Sequence, residues 1–343
     1  MPVDAVEERP AATERFVTRE YRAGDEGAIL DLFARSFPHA PRSLEHFRWK
    51  YRESPFGNER ISLTFDQNGR LVGHYAGYPV PFRADGRDFL AHQIGDTMTD
   101  PSVRHIGRGP TSILGRTALH FYERFCDGQV AFNYGFNVAN IQKFSLRFLR
   151  SDRVEPVTYR ARDLRERPLR SIQRTERWLR GIQLEVVTDT SEEWDALFER
   201  VSGSYGFCVA RTAAYVRWRY LRCPDTPYVV VAIRKWRRLV GWIVYRIRER
   251  TFVWGDALID PAHSEAIEAA LRHLVPLHGV VRIEAWFPPR PPWLEDVLAK
   301  RLFLERSPEP QNLSVMCVPF AWADVVSAMR ERLHFTWGDS DLF

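Results

Sequence analysis

An α/β (α+β) fold in two tandem copies is what this sequence predicts, each copy a mixed, mostly antiparallel twisted sheet flanked by helices. Three observations carry that expectation. The chain has 343 residues, too many for one ordinary compact domain and suited to two of roughly 150. Period-2 apolar runs alternate with helical ones along it. Three blocks also recur in one order: Phe47–Tyr51 as Val216–Tyr220, both containing an Arg-Trp pair; Arg70–Gly73 as Arg238–Gly241; and Ile94–Pro101 as Trp254–Pro261, both containing Gly-Asp and ending Asp-Pro. The expected division is a leader at 1–15, a first domain at 16–155, a linker at 156–182 and a second domain at 183–343.

The elements follow in order. Residues 1–15 are acidic and aperiodic, with Ala and Pro, and read as a flexible leader. From Phe16 the chain alternates as a strand, and Gly24-Asp25 then opens a helix with an apolar face of Ile29, Leu30, Leu32, Phe33 and Phe37, ended by Pro38 and Pro41. Strands at Arg60–Phe65 and Leu71–Val80 flank the Asp66–Gly69 turn, whose Asn-Gly pair signals a tight hairpin. A strand through Phe89–Thr99, a helix over Pro110–Phe125, a strand at Val130–Phe136 and a helix opening near Asn137 or Asn140 complete the first copy. The arginine-rich stretch from Asp152 to Ile182 reads as a connection, and the second copy then repeats the order.

Composition narrows the function classes. Hydrophobic residues make up 45% and charged residues 27%, the balance of a chain with a real core. No apolar run reaches the roughly 18 residues of a membrane span and the N-terminus lacks a signal peptide's apolar centre, so no membrane partner and a cytoplasmic location are expected. Cys126, Cys208, Cys223 and Cys317 have no metal-ligand or disulfide spacing, so no metal is expected. The charge of +5 comes almost wholly from arginine, lysine appearing at Lys50, Lys143, Lys235 and Lys300. Such a balance suits anionic ligands, and an arginine-biased genome would also produce it.

One motif carries chemistry. After the strand ending at Thr99, the run Arg104-His105-Ile106-Gly107-Arg108-Gly109 opens a helix at Pro110. Glycines at a helix start let backbone N–H groups converge at the positive end of the helix dipole, an arrangement suited to a diphosphate. A strand-to-helix turn also needs glycine for geometry alone, and it is the flanking strand and helices that favour the anion cradle.

This run resembles the pyrophosphate-binding signature of the GNAT N-acetyltransferase superfamily. The family's motif order fits from about Phe16 to Arg150, and the rest resembles a degenerate copy through about Pro319. The resemblance implies an acyl-CoA-dependent N-acyltransferase using acetyl-CoA or another acyl-CoA as donor. It implies that Met98 and Thr99 pair with the pantetheine arm through their backbone. It further implies that Arg104, His105, Ile106, Gly107, Arg108, Gly109 and Thr111 hold the pyrophosphate. Asn137, followed by Asn140 and Phe144, falls where the family places an asparagine-led helix beside the arm. Two departures stand out. The tyrosine that many members carry on that helix is replaced in its neighbourhood by Lys143 and Phe144, so Tyr134 is the substitute proton donor to test. The second copy reads Pro261-Ala-His-Ser-Glu265, with no glycine pair, and is expected to have lost the cofactor.

Direct attack by an amine on a thioester needs a general base in the cleft. Asp96 is the first candidate and His92 the second, both facing one way on the strand while Gln93 faces the other; Asp256, the repeat of Asp96, makes a bracing role the alternative. Trp49, Tyr51, Trp218 and Tyr220 are expected in the core, with a substrate wall as the other reading. The closing Trp337–Phe343 either covers the cleft, offering Asp339 and Asp341 to a cationic amine, or is a solvated tail. The expected acceptor is a small-molecule amine, an amino sugar or amino acid derivative. A carrier protein or aminoacyl-tRNA donor is an alternative, as is a non-catalytic binding protein, and the chain is expected to be a monomer or homodimer.

Overall fold

The computed structural model describes residues 16–39 and 42–343; the expected leader at 1–15 and Pro41 lie outside the described residues. The first copy contains β1 (Phe16–Glu20), α1 (Glu26–Ser36), α2 (Leu44–Tyr51), β2 (Ile61–Asp66), β3 (Leu71–Ala84), β4 (Arg87–Thr99), α3 (Ile113–Phe125), β5 (Phe132–Asn137), α4 (Ala139–Phe148) and β6 (Asp152–Pro156). β7 (Tyr159–Asp163) and α5 (Arg174–Leu179) follow. The second copy contains β8 (Ile182–Val186), α6 (Glu192–Val201), β9 (Phe207–Val209), α7 (Ala213–Val216), β10 (Val229–Lys235), β11 (Arg238–Arg248), β12 (Thr251–Ile259), α8 (Glu265–Leu277), β13 (Arg282–Trp286), α9 (Pro292–Glu295), β14 (Glu305–Ser307), β15 (Ser314–Pro319) and α10 (Val325–Arg332).

Local sequence explains most of these elements. In α1, Ile29, Leu32 and Phe33 are buried at helical spacing, whereas Phe37 falls past the helix end and is 42% exposed, outside the apolar face expected for it. The hairpin between β2 and β3 closes as anticipated: the Asp66 carboxylate accepts from the N–H groups of Asn68 and Arg70, both at 2.9 Å, and Gly69 takes φ +76°.

The two sheets have the same order. The first runs β1-β2-β3-β4-β5-β15-β6, with β9 added to β3; the second runs β8-β10-β11-β12-β13-β7-β14. Pairing is antiparallel except at β4–β5 and β12–β13, the two joins that flank the crossover helices α3 and α8. Equivalent positions beside β5 and β13 are therefore filled by β15 and β7, each donated from beyond its own copy. The range expected as a linker, 156–182, thus carries β7, a strand of the second sheet paired on both sides, as well as α5. One large apolar core runs across the seam, with Trp194, Trp242, Trp254 and Trp286 fully buried on the second-copy side, and a smaller cluster around Tyr75, Phe121 and Tyr122 lies beneath α3.

Candidate functional site

The loop after β4 is fixed at its root by Asp100. Its carboxylate accepts from the N–H and hydroxyl of Ser102 at 3.0 and 2.6 Å, and from Arg35 and Arg70 at 2.8 and 2.6 Å. Burial alone would raise this carboxyl, but those donors outweigh it and hold it at about 2. Arg104 then returns its Nε to the Thr99 carbonyl at 3.0 Å, Gly107 and Gly109 take φ +71° and +54°, and a 3-10 turn at Gly109–Thr111 precedes the helix. Because of that turn α3 starts at Ile113, three residues later than the spacing suggests, with Ser112 capping the N–H of Gly115 at 3.1 Å.

The glycines serve the loop's own packing. A Cβ on Gly107 would lie 2.4 Å from the Thr111 carbonyl oxygen, and one on Gly109 would lie 2.7 Å from the Phe148 ring. Their missing side chains are therefore filled by protein, and what faces solvent is an exposed basic rim of Arg104, His105, Arg108 and Thr111, with Ile106 half-buried. At the equivalent place in the second copy, Glu265 stands at the start of α8 and takes the Lys235 ammonium at 2.6 Å. An acidic, glycine-free start of that kind repels a diphosphate.

β4 pairs with β5 in parallel over Ala91–Gln93, yet β4 runs on to Thr99 and β5 to Asn137. A small recess opens between them, lined by Ile94, Tyr134, Gly135, Asn137, Ser145 and Met316 among others. Met98 is buried and Thr99 half-buried on the open length of β4. The cap of α4 is Val138, not an asparagine: Asn137 ends β5, where its carbonyl accepts from Gln142 at 2.6 Å, and the side chain of Asn140 lies outside what is described.

A β-bulge separates the two residues expected to share a face. His74 pairs with Met98 and Ala76 with Gly95, so Asp96 and Thr97 together oppose Tyr75, and Asp96 takes φ +49°. The extra residue reverses the alternation. His92 points under α3, with Nδ1 at 3.1 Å from Asn133 Oδ1 and Nε2 against Arg60, and burial together with that guanidinium holds its pKa at about 3. Asp96 instead turns to α2, accepting from Lys50 Nζ and the Tyr51 hydroxyl, both at 2.8 Å. Burial would raise the Asp96 carboxyl, but Lys50, with Arg42 and His46 beyond it, holds it well below the usual range. Tyr134 lies on the seam face of β5 and donates to the Asp339 carbonyl at 3.3 Å; burial keeps it protonated far above the ordinary phenol range.

The seam is pseudo-symmetric. Trp49 and Trp218 stack at 5.6 Å, and each indole N–H donates to the other's carbonyl, at 2.7 and 2.9 Å. Tyr51 meets Asp96 as Tyr220 meets Asp256, the latter at 2.6 Å with Arg211 at 2.8 Å on the same carboxylate. The closing segment is no solvated tail. Trp337, Asp339, Ser340 and Phe343 are buried between the copies, Asp339 held by Arg211 at 2.7 Å. A Cβ on Gly95 would lie 2.4 Å from Asp341 Oδ2, and one on Gly255 would overlap the Phe343 ring, so this segment presses on matching points of β4 and β12.

Beside it opens a cavity of roughly 240 Å³, lined by Trp49, Lys50, Tyr78, Arg219, Arg246 and Asp341 among others. Trp49 thus both packs the seam and walls the cavity. Asp341, 3.5 Å from Lys50, is the carboxylate that faces this space, while Asp339 is turned away toward Arg211. Strand facing singles out Asp96 in the sequence; what places Asp341 here is the burial of Trp337–Ser340 and Phe343 around it, Asp341 itself being half-buried and Leu342 exposed. Among the described residues no cluster of three metal-ligating side chains occurs, and no helix is long and apolar enough to cross a membrane.

Comparison with known proteins matches residues 17–145 to the acetyltransferase (GNAT) domain model. Among solved structures, a conserved protein of Enterococcus faecalis V583 superposes with TM-score 0.63 at 14% identity, covering 92% of this chain and 75% of that one. A GCN5-related N-acetyltransferase from Kribbella flavida gives 0.62 at 15%, covering 88% and 70%. Saccharomyces cerevisiae N-myristoyltransferase with bound myristoyl-CoA gives 0.57 at 11%, covering 92% and 89%. At such identities the likeness is one of fold. A search of curated proteins found no match.

Proposed function

We propose, from the match of residues 17–145 to the acetyltransferase (GNAT) domain model, that the chain is an acyl-CoA-dependent N-acyltransferase acting on a small polar amine, an amino sugar or amino acid derivative. One observation carries the reading: Ile94 lines the recess between β4 and β5, while its neighbour Gly95 abuts Asp341 in the seam cavity. A donor lying along the open length of β4 and an acceptor in the cavity meet at that strand.

In this reading the loop from Arg104 to Gly109, with Thr111, takes the pyrophosphate, and the backbone of Met98 and Thr99 takes the pantetheine arm beside Asn137 and Asn140. Coenzyme A supplies the activated acyl group. Asp341 receives the ammonium proton of the acceptor, and Lys50, shared with Asp96, fixes that carboxylate. Asp96 acts behind Lys50 as a positioning residue, and His92 stays with the core beneath α3. Tyr134 keeps its proton until the thiolate leaves.

Calorimetry with acetyl-CoA and coenzyme A on the parent and on Gly107→Glu tests the donor site. Binding by the parent that vanishes in a folded variant is the expected result, since the substitution adds negative charge and a Cβ 2.4 Å from the Thr111 carbonyl. A well-folded parent that binds neither ligand overturns the reading. Asp341→Asn should leave that affinity intact and lower kcat by about a hundredfold or more, the usual scale for loss of a general base. An unchanged kcat would remove Asp341 from the mechanism.

A further inference from the structure

The seam cavity contains more positive charge than its carboxylates answer. Lys50 is matched by Asp96 at 2.8 Å and Asp341 at 3.5 Å, and Arg42 by Asp225 at 3.9 Å. Arg219 is treated differently. It is buried, and its guanidinium donates to the carbonyls of Gly338 and Ser340 at 3.1 and 2.8 Å and lies 5.8 Å from the Trp49 ring centroid. Those carbonyls anchor the group and leave its charge unneutralised. Arg246 has less still: among the described residues it makes no hydrogen bond and no ion pair, its Nε is buried without a partner, and its guanidinium lies 5.3 Å from the Phe343 ring centroid. Burial works against that charge.

A half-buried guanidinium with no acceptor is costly unless something completes it. Its planar fork fits a carboxylate in bidentate fashion, and here it lines the same cavity as Asp341. Trp49, Tyr78 and Phe343 also line it and suit a hydrocarbon or aromatic body. Resting on the acyltransferase reading, we propose that the acceptor is an amine that also carries a carboxylate, an amino acid, with its carboxylate docked on Arg246 in the field of Arg219 and its amine facing Asp341. A polycationic amino sugar meets repulsion from the same pair of arginines.

The test uses the full chain with acetyl-CoA, following thiol release with each common α-amino acid against its own α-carboxamide, which differs in that one charge. The best acid should exceed its amide by about tenfold or more in kcat/KM. Arg246→Gln should erase the preference through KM with kcat little changed, and Arg246→Lys should restore part of it. Amides or neutral amino sugars accepted as well as acids, or an acid preference that survives in Arg246→Gln, would overturn the inference. Should no acceptor turn over, tryptophan fluorescence reads binding directly, because Trp49 walls the cavity. Quenching by acids and not amides, lost in Arg246→Gln, supports the proposal; no quenching by any acid overturns it. Coenzyme A calorimetry alongside separates the two levels. Coenzyme A binding without an acid preference removes the carboxylate subsite and leaves the acyltransferase, whereas no coenzyme A binding removes both.

Discussion

At Asp96 the backbone enters the left-handed region, φ +49°, and two residues of β4 face one of β3. That single insertion sends His92 beneath α3 and Asp96 toward Lys50, which strict alternation along a strand cannot foresee. The repeated Gly-Asp was visible in sequence; its meaning, a carboxylate braced by Tyr51 as Asp256 is by Tyr220, needed the fold. Gly115 is the residue whose role the sequence hid most completely, because glycine inside a helix reads as a defect. A Cβ there would lie 2.2 Å from the Gly109 carbonyl oxygen and 2.8 Å from Pro110 Cα, both backbone. Alanine is the better helix former by about 1 kcal/mol, so Gly115→Ala should leave α3 intact while forcing the loop outward. We expect coenzyme A affinity to fall by about tenfold, equivalent to roughly 1.4 kcal/mol, with the circular dichroism spectrum unchanged. Unaltered affinity would detach the Arg104–Gly109 loop from donor binding.

Among the elements, hairpins, the block repeat and the α3 crossover were legible because apolar period and turn residues set them locally. The exchange of strands was not. β7 reads Tyr-Arg-Ala-Arg-Asp, a polar stretch, yet Arg160 is fully buried and spends its guanidinium on the carbonyls of Phe287 and Leu304 and on Glu295. Arg162 likewise donates to the carbonyls of Arg167, Leu302 and Pro168 at 3.0, 2.6 and 2.9 Å. Charge satisfied by backbone inside a sheet is indistinguishable, in composition, from charge on a linker. β15 completes the first sheet in return, six of its residues in register with β5 and Val315 and Cys317 fully buried. A fragment ending at residue 158 therefore lacks β15 and exposes unpaired edges on β5 and β6. Expressed alone it should aggregate or lack a cooperative melt, and co-expressed with 159–343 it should copurify. A monomeric fragment with a sharp thermal transition would show that the first copy does not depend on the exchanged strand.

Across the whole molecule, buried histidines set the response to acid. Burial is the main cause in each case, holding His74 at about 4 and His92 and His334 at about 3, and lowering His46 with help from Lys50 and Arg42. Unfolded, each would titrate near 6.5, so between that value and the folded one the unfolded chain binds more protons and stability falls as pH falls. At pH 5 the loss is about 2 kcal/mol for each fully buried ring as an upper scale. Two carboxyls act in the opposite sense: burial lifts Glu155 to about 7 and raises Asp339 despite Arg211, so the folded chain takes up their protons first and gains stability on acidification. Four rings against two carboxyls leave a net loss. Asp100, held at about 2, adds nothing until pH falls below its unfolded value of 3.8. The melting temperature should therefore fall by at least about 5 °C between pH 7.5 and 5, measured by calorimetry at constant ionic strength. His92→Gln, which keeps a neutral polar group facing Arg60 and Asn133, should flatten part of that slope whatever it costs at neutral pH. A melting temperature that is level or rises toward pH 5 would mean that these rings are solvated in solution and that the packing beneath α3 and along the seam is looser than the structure describes.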